Sequence, residues 1–211
     1  MSYPSSPERL GQSIDLFMRV LTGVSVDQYG DATPCAAFTV RDLVNHTAKM
    51  FLMTEAVGAG TEWDPSIAAA DPMPFLAGTP ETGWPPLLSE RAQAAAKTWA
   101  VPQAWEGEAN LSGSLMATAT IGGILIAEFT IHAWDLAVAT GQSPQIPDHL
   151  AESSLEIYRR EAPRMRGLGL LADEVTLDAG ASLFDQVLAL SGRDPRWRPP
   201  PRAARAHSGE A

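Results

Sequence analysis

The stretch ATATIGGILIAEFTIHAWDLAVATG, residues 117–141, decides the fold. It reads as one long helix over 117–139, stopped at Thr140-Gly141, where glycine suits the position just past a helix C-terminus. Ile121, Leu125, Glu128, His132, Asp135, Leu136 and Ala139 recur at spacings of three and four, so they share an inward stripe. Glu128, His132 and Asp135 therefore occupy positions where core residues belong. Glu128 and His132 stand at i and i+4, one turn apart on the same face. An unpaired carboxylate is expensive to bury. Either these groups satisfy one another in a buried polar network, or they surround a cation.

Working outward, a second helix is expected over 39–57. Thr39-x-x-Asp42 has the form of a capping box, and Leu43, Val44, Thr47, Ala48, Phe51 and Leu52 make its apolar stripe. His46 flanks that stripe. If the second and fourth helices are neighbours, His46 can face Glu128 and His132. Two imidazoles and one carboxylate suit a divalent cation, and three protein ligands leave positions open for water or substrate. Zinc is the leading expectation, with iron in a facial triad, nickel and manganese as alternatives. A Glu and a His at this spacing often form a plain structural pair; the apolar residues around them argue for more.

The remaining elements are a first helix over 12–24 with Ile14, Phe17, Met18 and Leu21 on one face, and a third over 87–99. A fifth is expected over 147–162, beginning at Pro147-Asp148, and a short sixth over 182–190, with Ser182-x-x-Asp185 at its start. Residues 58–86, rich in Gly and Pro, read as a long crossover that can include short helical pieces. Short extended stretches are expected at 104–105, 111–116 and 174–178. The fold class is thus all-α: a four-helix bundle with a long crossover and short extra C-terminal helices. One domain is expected over 8–197, followed by a disordered basic tail over 198–211.

Composition narrows the function classes. The 211 residues are 45% hydrophobic and 19% charged, which suits a globular domain. A net charge of −10 repels phosphate backbones, so nucleic-acid binding is not expected. From Arg193 onward the balance reverses, with five arginines against Asp194 and Glu210. The single cysteine, Cys35, excludes an intrachain disulfide framework and any cysteine-cluster zinc site. No signal peptide or membrane span is read, so a cytoplasmic protein acting on a small molecule is expected, monomeric or homodimeric. No Gly-x-Ser-x-Gly or His-Glu-x-x-His pattern occurs, leaving serine hydrolases and zincin proteases without support.

Other residues carry blander readings. Asp135 is either an acceptor that orients His132 or a partner of a neighbouring amide. Trp134 is expected in the core, Cys35 as a buried inert thiol, Asp42 as a cap and Arg41 on the surface. His149 and His207 receive no role. Gly122-Gly123 marks a close backbone approach or a kink, not a phosphate loop.

Three segments carry a family resemblance: Thr33-Pro34-Cys35 with Phe38 to His46; Glu128-Phe129-Thr130-Ile131-His132-Ala133-Trp134-Asp135-Leu136-Ala137; and Leu188-Ala189-Leu190-Ser191-Gly192-Arg193-Asp194-Pro195 with Trp197. They resemble the DinB-like metal-binding proteins of actinobacteria, related to the N-terminal domain of mycothiol-dependent maleylpyruvate isomerase. The resemblance implies a four-helix bundle with a His, Glu, His metal site on His46, Glu128 and His132. It further implies mycothiol or a similar low-molecular-weight thiol as cosubstrate, in thiol transfer to, or isomerisation of, a small electrophile. The isomerase carries an extra C-terminal domain that contributes to substrate binding. This chain reads as too short for it, so maleylpyruvate isomerisation itself is not expected. A non-catalytic metal or small-molecule binding module is the alternative; a non-haem iron oxygenase is a weaker one, since those favour β-barrels.

Overall fold

A computed structural model describes residues 6–201, apart from 64, 68 and 112. Helix α1 spans Pro7–Thr22, α2 Val40–Gly58, α3 Trp84–Trp99, α4 Thr118–Ala139, α5 Asp148–Gly167 and α6 Leu183–Leu190. One antiparallel hairpin, β1 Glu108–Leu111 with β2 Ser114–Ala117, leads directly into α4.

The helix starts follow from local chemistry. Ser6 caps α1 by accepting from the Arg9 amide, and Pro7 fills the first helical position, so α1 begins five residues before the expected Gln12. Pro85 and Pro86 likewise lie in the first turn of α3, where a missing N–H leaves nothing unpaired; α3 therefore starts at Trp84 rather than Leu87. Thr39 and Asp42 form the expected capping box at α2: Thr39 Oγ1 accepts from the Asp42 amide at 3.3 Å, and Asp42 Oδ2 accepts from the Thr39 amide at 3.0 Å. Replacing Thr39 with Ala is expected to cost about 1 kcal/mol. Thermal melts should show it as a fall of about 2–4 °C in Tm.

Two expectations need correction. Helix α5 does not stop at Ala162; it continues through Pro163 to Gly167, with Met165 buried and Arg164 and Arg166 in its last turn. Buried packing outweighs the lost hydrogen bond there, and the two cations complement the C-terminal dipole. Twenty residues long, α5 is not one of the short extra helices anticipated. The stretch at 174–178 pairs with no strand among the described residues; the Val175 amide donates to the Ala189 carbonyl. The segment at 104–105 lies in a 3-10 turn, Pro102–Trp105, while Leu111 and residues 114–116 lie in the strands of the hairpin. The expected tail over 198–211 lies outside the described residues beyond 201, and 198–201 carry no regular structure.

Packing shows why α4 dominates. Helix α1 packs on α4 and α3, while α2 packs on α3 and α4, making the four-helix bundle. Its core includes Phe17, Phe51, Trp99, Leu125 and Phe129, with Phe51 and Phe129 stacked 5.1 Å apart. Helices α5 and α6 then cover the opposite side of α4, where Ile124, Ile131 and Trp134 meet Leu155, Ile157 and Val187. So α4 has no solvent face, and the single inward stripe read from its spacing is an underestimate. It is long and apolar enough to cross a membrane, yet 89% of its apolar window is buried inside the protein. A side chain at Gly122 would run into the Trp105 and Trp99 rings, which confirms the close approach expected there.

The crossover over 59–83 is tied to the start of α2. Asn45 donates to the Ala70 carbonyl at 3.0 Å and accepts from the Met73 amide at 2.7 Å. Arg41 pairs with Asp71 at 2.7 Å and Glu81 at 3.4 Å. Met73 and Leu76 are buried in the main core, so the crossover is packed structure rather than a free loop.

Candidate metal centre

Position 46 lies in the second turn of α2, and positions 128 and 132 lie mid-way along α4. Packing of α2 against α4 brings their side chains together. One ligand atom from each of His46, Glu128 and His132 falls within 4.8 Å of the others. The His46 and His132 rings meet edge to face, 5.1 Å between centroids. His132 is buried, while Glu128 keeps 20% of its side chain exposed, so the cluster is reached from the Glu128 and His46 side. Phe38, from the loop before α2, covers the other flank of His46 at 5.0 Å.

Two of the three ligands, His132 and Glu128, are oriented by hydrogen-bond partners. His132 Nδ1 lies 3.0 Å from Asp135 Oδ2, and Asp135 accepts from Arg193 Nη2 at 3.1 Å. A carboxylate on Nδ1 fixes the tautomer with Nε2 free to ligate. That nitrogen faces Glu128 Oε2 at 3.3 Å. The Tyr158 hydroxyl donates to Glu128 Oε1 at 2.5 Å. Among the described residues, Asp135 Oδ1 and Arg193 Nε are buried without a hydrogen-bond partner.

The electrostatics match a cation site. Burial, reinforced by the neighbouring His132, pushes the His46 imidazole down to about 3, so at neutral pH it is the uncharged form that ligates metals. Burial alone would raise the Glu128 carboxyl, but hydrogen bonds from His132 and Tyr158 bring it down to about 2. Burial works against a charged His132, yet Asp135 and Glu128 outweigh it and raise its pKa. Two nitrogens and one carboxylate oxygen, brought together by two helices, could hold a metal ion. If a metal binds, Asp135→Asn is expected to weaken it by about 10–100-fold, read by competition with a chromophoric chelator.

Sequence reasoning brought together the three ligands and Asp135 but missed Tyr158 and Arg193 as members of the site. Tyr158 appears in the sequence as one more apolar residue of the fifth helix; its hydroxyl was the overlooked signal. Arg193 follows Gly192, whose φ of +79° turns the chain off the end of α6, and a Cβ there would lie 2.7 Å from Ala172. That turn returns Arg193 to α4. Trp134 is packed in the core with α5 and α6, as expected. Cys35 is half-buried and lies outside the ligand cluster; burial raises its pKa, with Arg193 opposing.

With this geometry in view, the chain belongs to the family described as the mycothiol maleylpyruvate isomerase N-terminal domain, whose sequence model matches residues 10–137. That span contains all three candidate ligands. The chain is 31% identical over 187 residues to uncharacterized proteins from two strains of Mycobacterium tuberculosis, covering 86% of this chain and 94% of each relative. Two crystal structures of the mycothiol-dependent maleylpyruvate isomerase, one of them a mutant, superpose on it with TM-scores of 0.68 and 0.67 at 15% identity. The superposition covers 92% of this chain and 90% of the isomerase chain. The likeness therefore extends over most of the isomerase, and the expectation that this chain is too short to match its C-terminal part does not stand.

Proposed function

We propose that the protein holds a divalent metal, zinc first, at His46, Glu128 and His132, and is an enzyme acting on a small electrophile with water or a low-molecular-weight thiol. The observation that carries the reading is the convergence of three ligand atoms from two helices at a partly open position, with His132 and Glu128 each held by a hydrogen-bond partner. A metal bound there would lower the pKa of a coordinated thiol or water and so supply a nucleophile near neutral pH. The solved isomerases are mycothiol-dependent, which supports a mycothiol-like thiol as the cosubstrate. The chain's own part is to hold the ligands. His46 stays neutral, Asp135 and Arg193 fix the His132 ring, and Tyr158 keeps Glu128 turned towards His132. Phe38 lies against His46 on one side of the site.

The test is turnover. Zinc-loaded protein, incubated with a low-molecular-weight thiol and a chromogenic aryl halide, should form the thioether faster than the thiol alone. His46→Ala should abolish the acceleration. Thiol binding without any turnover across a panel of electrophiles would instead favour a non-catalytic metal and thiol binding module.

A further inference from the structure

Glu128 can meet a metal with one carboxylate oxygen or with both, and the choice decides how many positions remain for an outside ligand. The geometry around it is asymmetric. Oε2 faces His132 Nε2 at 3.3 Å, towards the cluster. Oε1 accepts the hydroxyl of Tyr158, which comes from a different helix. Tyr158 is 1% exposed and packed between α4, α5 and α6 in the core that includes Ile131, Leu155 and Leu188, so its ring cannot follow a turning carboxylate. A hydrogen bond to an ionised acceptor is roughly twice as strong as a neutral one, and turning Oε1 onto the metal would break it.

We infer that Tyr158 is a positioning residue that fixes Glu128 as a one-oxygen ligand through Oε2. The position its second oxygen would fill is then left open for the sulfur of an incoming thiol. This rests on the metal reading above. Tyr158 touches neither substrate nor metal; it acts through Glu128. Withdrawing electron density through Oε1 also makes Glu128 a weaker donor, which leaves the metal a stronger Lewis acid towards the thiol.

The experiment replaces zinc with cobalt(II), whose visible spectrum reports coordination number, in the full-length protein and in Tyr158→Phe. The substitution removes one oxygen and keeps the ring. In the variant, Glu128 is expected to close on the metal with both oxygens. The visible absorption then falls about twofold or more as coordination rises. The affinity for 2-mercaptoethanol, followed by its sulfur-to-cobalt charge-transfer band, drops by about tenfold or more. A second readout needs no variant. Infrared difference spectra of zinc-loaded against metal-free wild type, with and without carbon-13 glutamate, should show the wide carboxylate splitting of one-oxygen binding. Unchanged cobalt spectrum and thiol affinity in Tyr158→Phe, or a narrow two-oxygen splitting in wild type, would overturn the inference while leaving the metal centre intact. Failure of wild type to take up cobalt or zinc would overturn the metal reading itself, and this inference with it.

Discussion

Protein carrying His46→Ala should bind Zn²⁺ at least about a hundredfold more weakly than wild type. If zinc binds as proposed, three protein ligands would share an affinity that reaches roughly 10–16 kcal/mol in structural sites, so each would be worth several kcal/mol. His46 is the only one of the three contributed by α2. Without it, Glu128 and His132 remain as an i, i+4 pair on one helix, already hydrogen-bonded to each other and to Tyr158 and Asp135. That remnant is a satisfied polar pair with little reason to hold a cation. His46 is half-buried, with its ring tilted against Phe38, so its truncation should leave the fold in place. Calorimetric zinc titration of the metal-free proteins, with circular dichroism as the folding control, checks this. Equal affinity in the two proteins would remove α2 from the site.

The second large effect is structural. Arg193→Ala is expected to destabilise the metal-free protein by about 3–5 kcal/mol, because it removes the cation paired with the fully buried Asp135 and leaves that carboxylate with His132 as its remaining partner among the described residues. In a chain of this size each kcal/mol moves Tm by about 2–4 °C, so the fall should be of order 10 °C. Arg193 is 10% exposed, so solvent screens the pair little. Gly192 and the Ser191 carbonyl, which accepts from Arg193 Nη1 at 3.0 Å, fix where the guanidinium lands. A change below about 1 kcal/mol would mean that Asp135 finds another partner and that the guanidinium is not part of the site's support.

The fold was legible where side-chain periodicity and capping agree. Thr39 with Asp42, and Ser182 with Asp185, mark helix starts that stand where the sequence puts them, because a cap is decided within four residues. Prolines were misread in both directions. Pro85 and Pro86 open a helix rather than precede it, and Pro163 sits inside one, since tertiary burial of Met165 and Ala162 overrides the local rule. The metal ligands were legible because Glu128 and His132 interrupt an apolar stripe, but spacing alone could not place His46 beside them. Only the family resemblance and then the packing of α2 on α4 did that. Tyr158 and Arg193 were not legible as site residues, because their contacts cross 30 and 58 residues of sequence and depend on how α5 and α6 wrap α4.

Everything proposed for this site depends on a divalent metal held by two imidazoles and one carboxylate, with a position left open. X-ray absorption at the zinc edge, on protein reconstituted to saturation, tests it most directly. One zinc per chain is expected, with two imidazole nitrogens and oxygen ligands at about 2.0–2.2 Å, and a sulfur at about 2.3 Å appearing only when thiol is added. A sulfur present before any thiol is added would place Cys35 in the shell and contradict the site as built. No stoichiometric uptake of zinc, nickel, manganese or iron would reduce His46, Glu128 and His132 to a hydrogen-bonded core network.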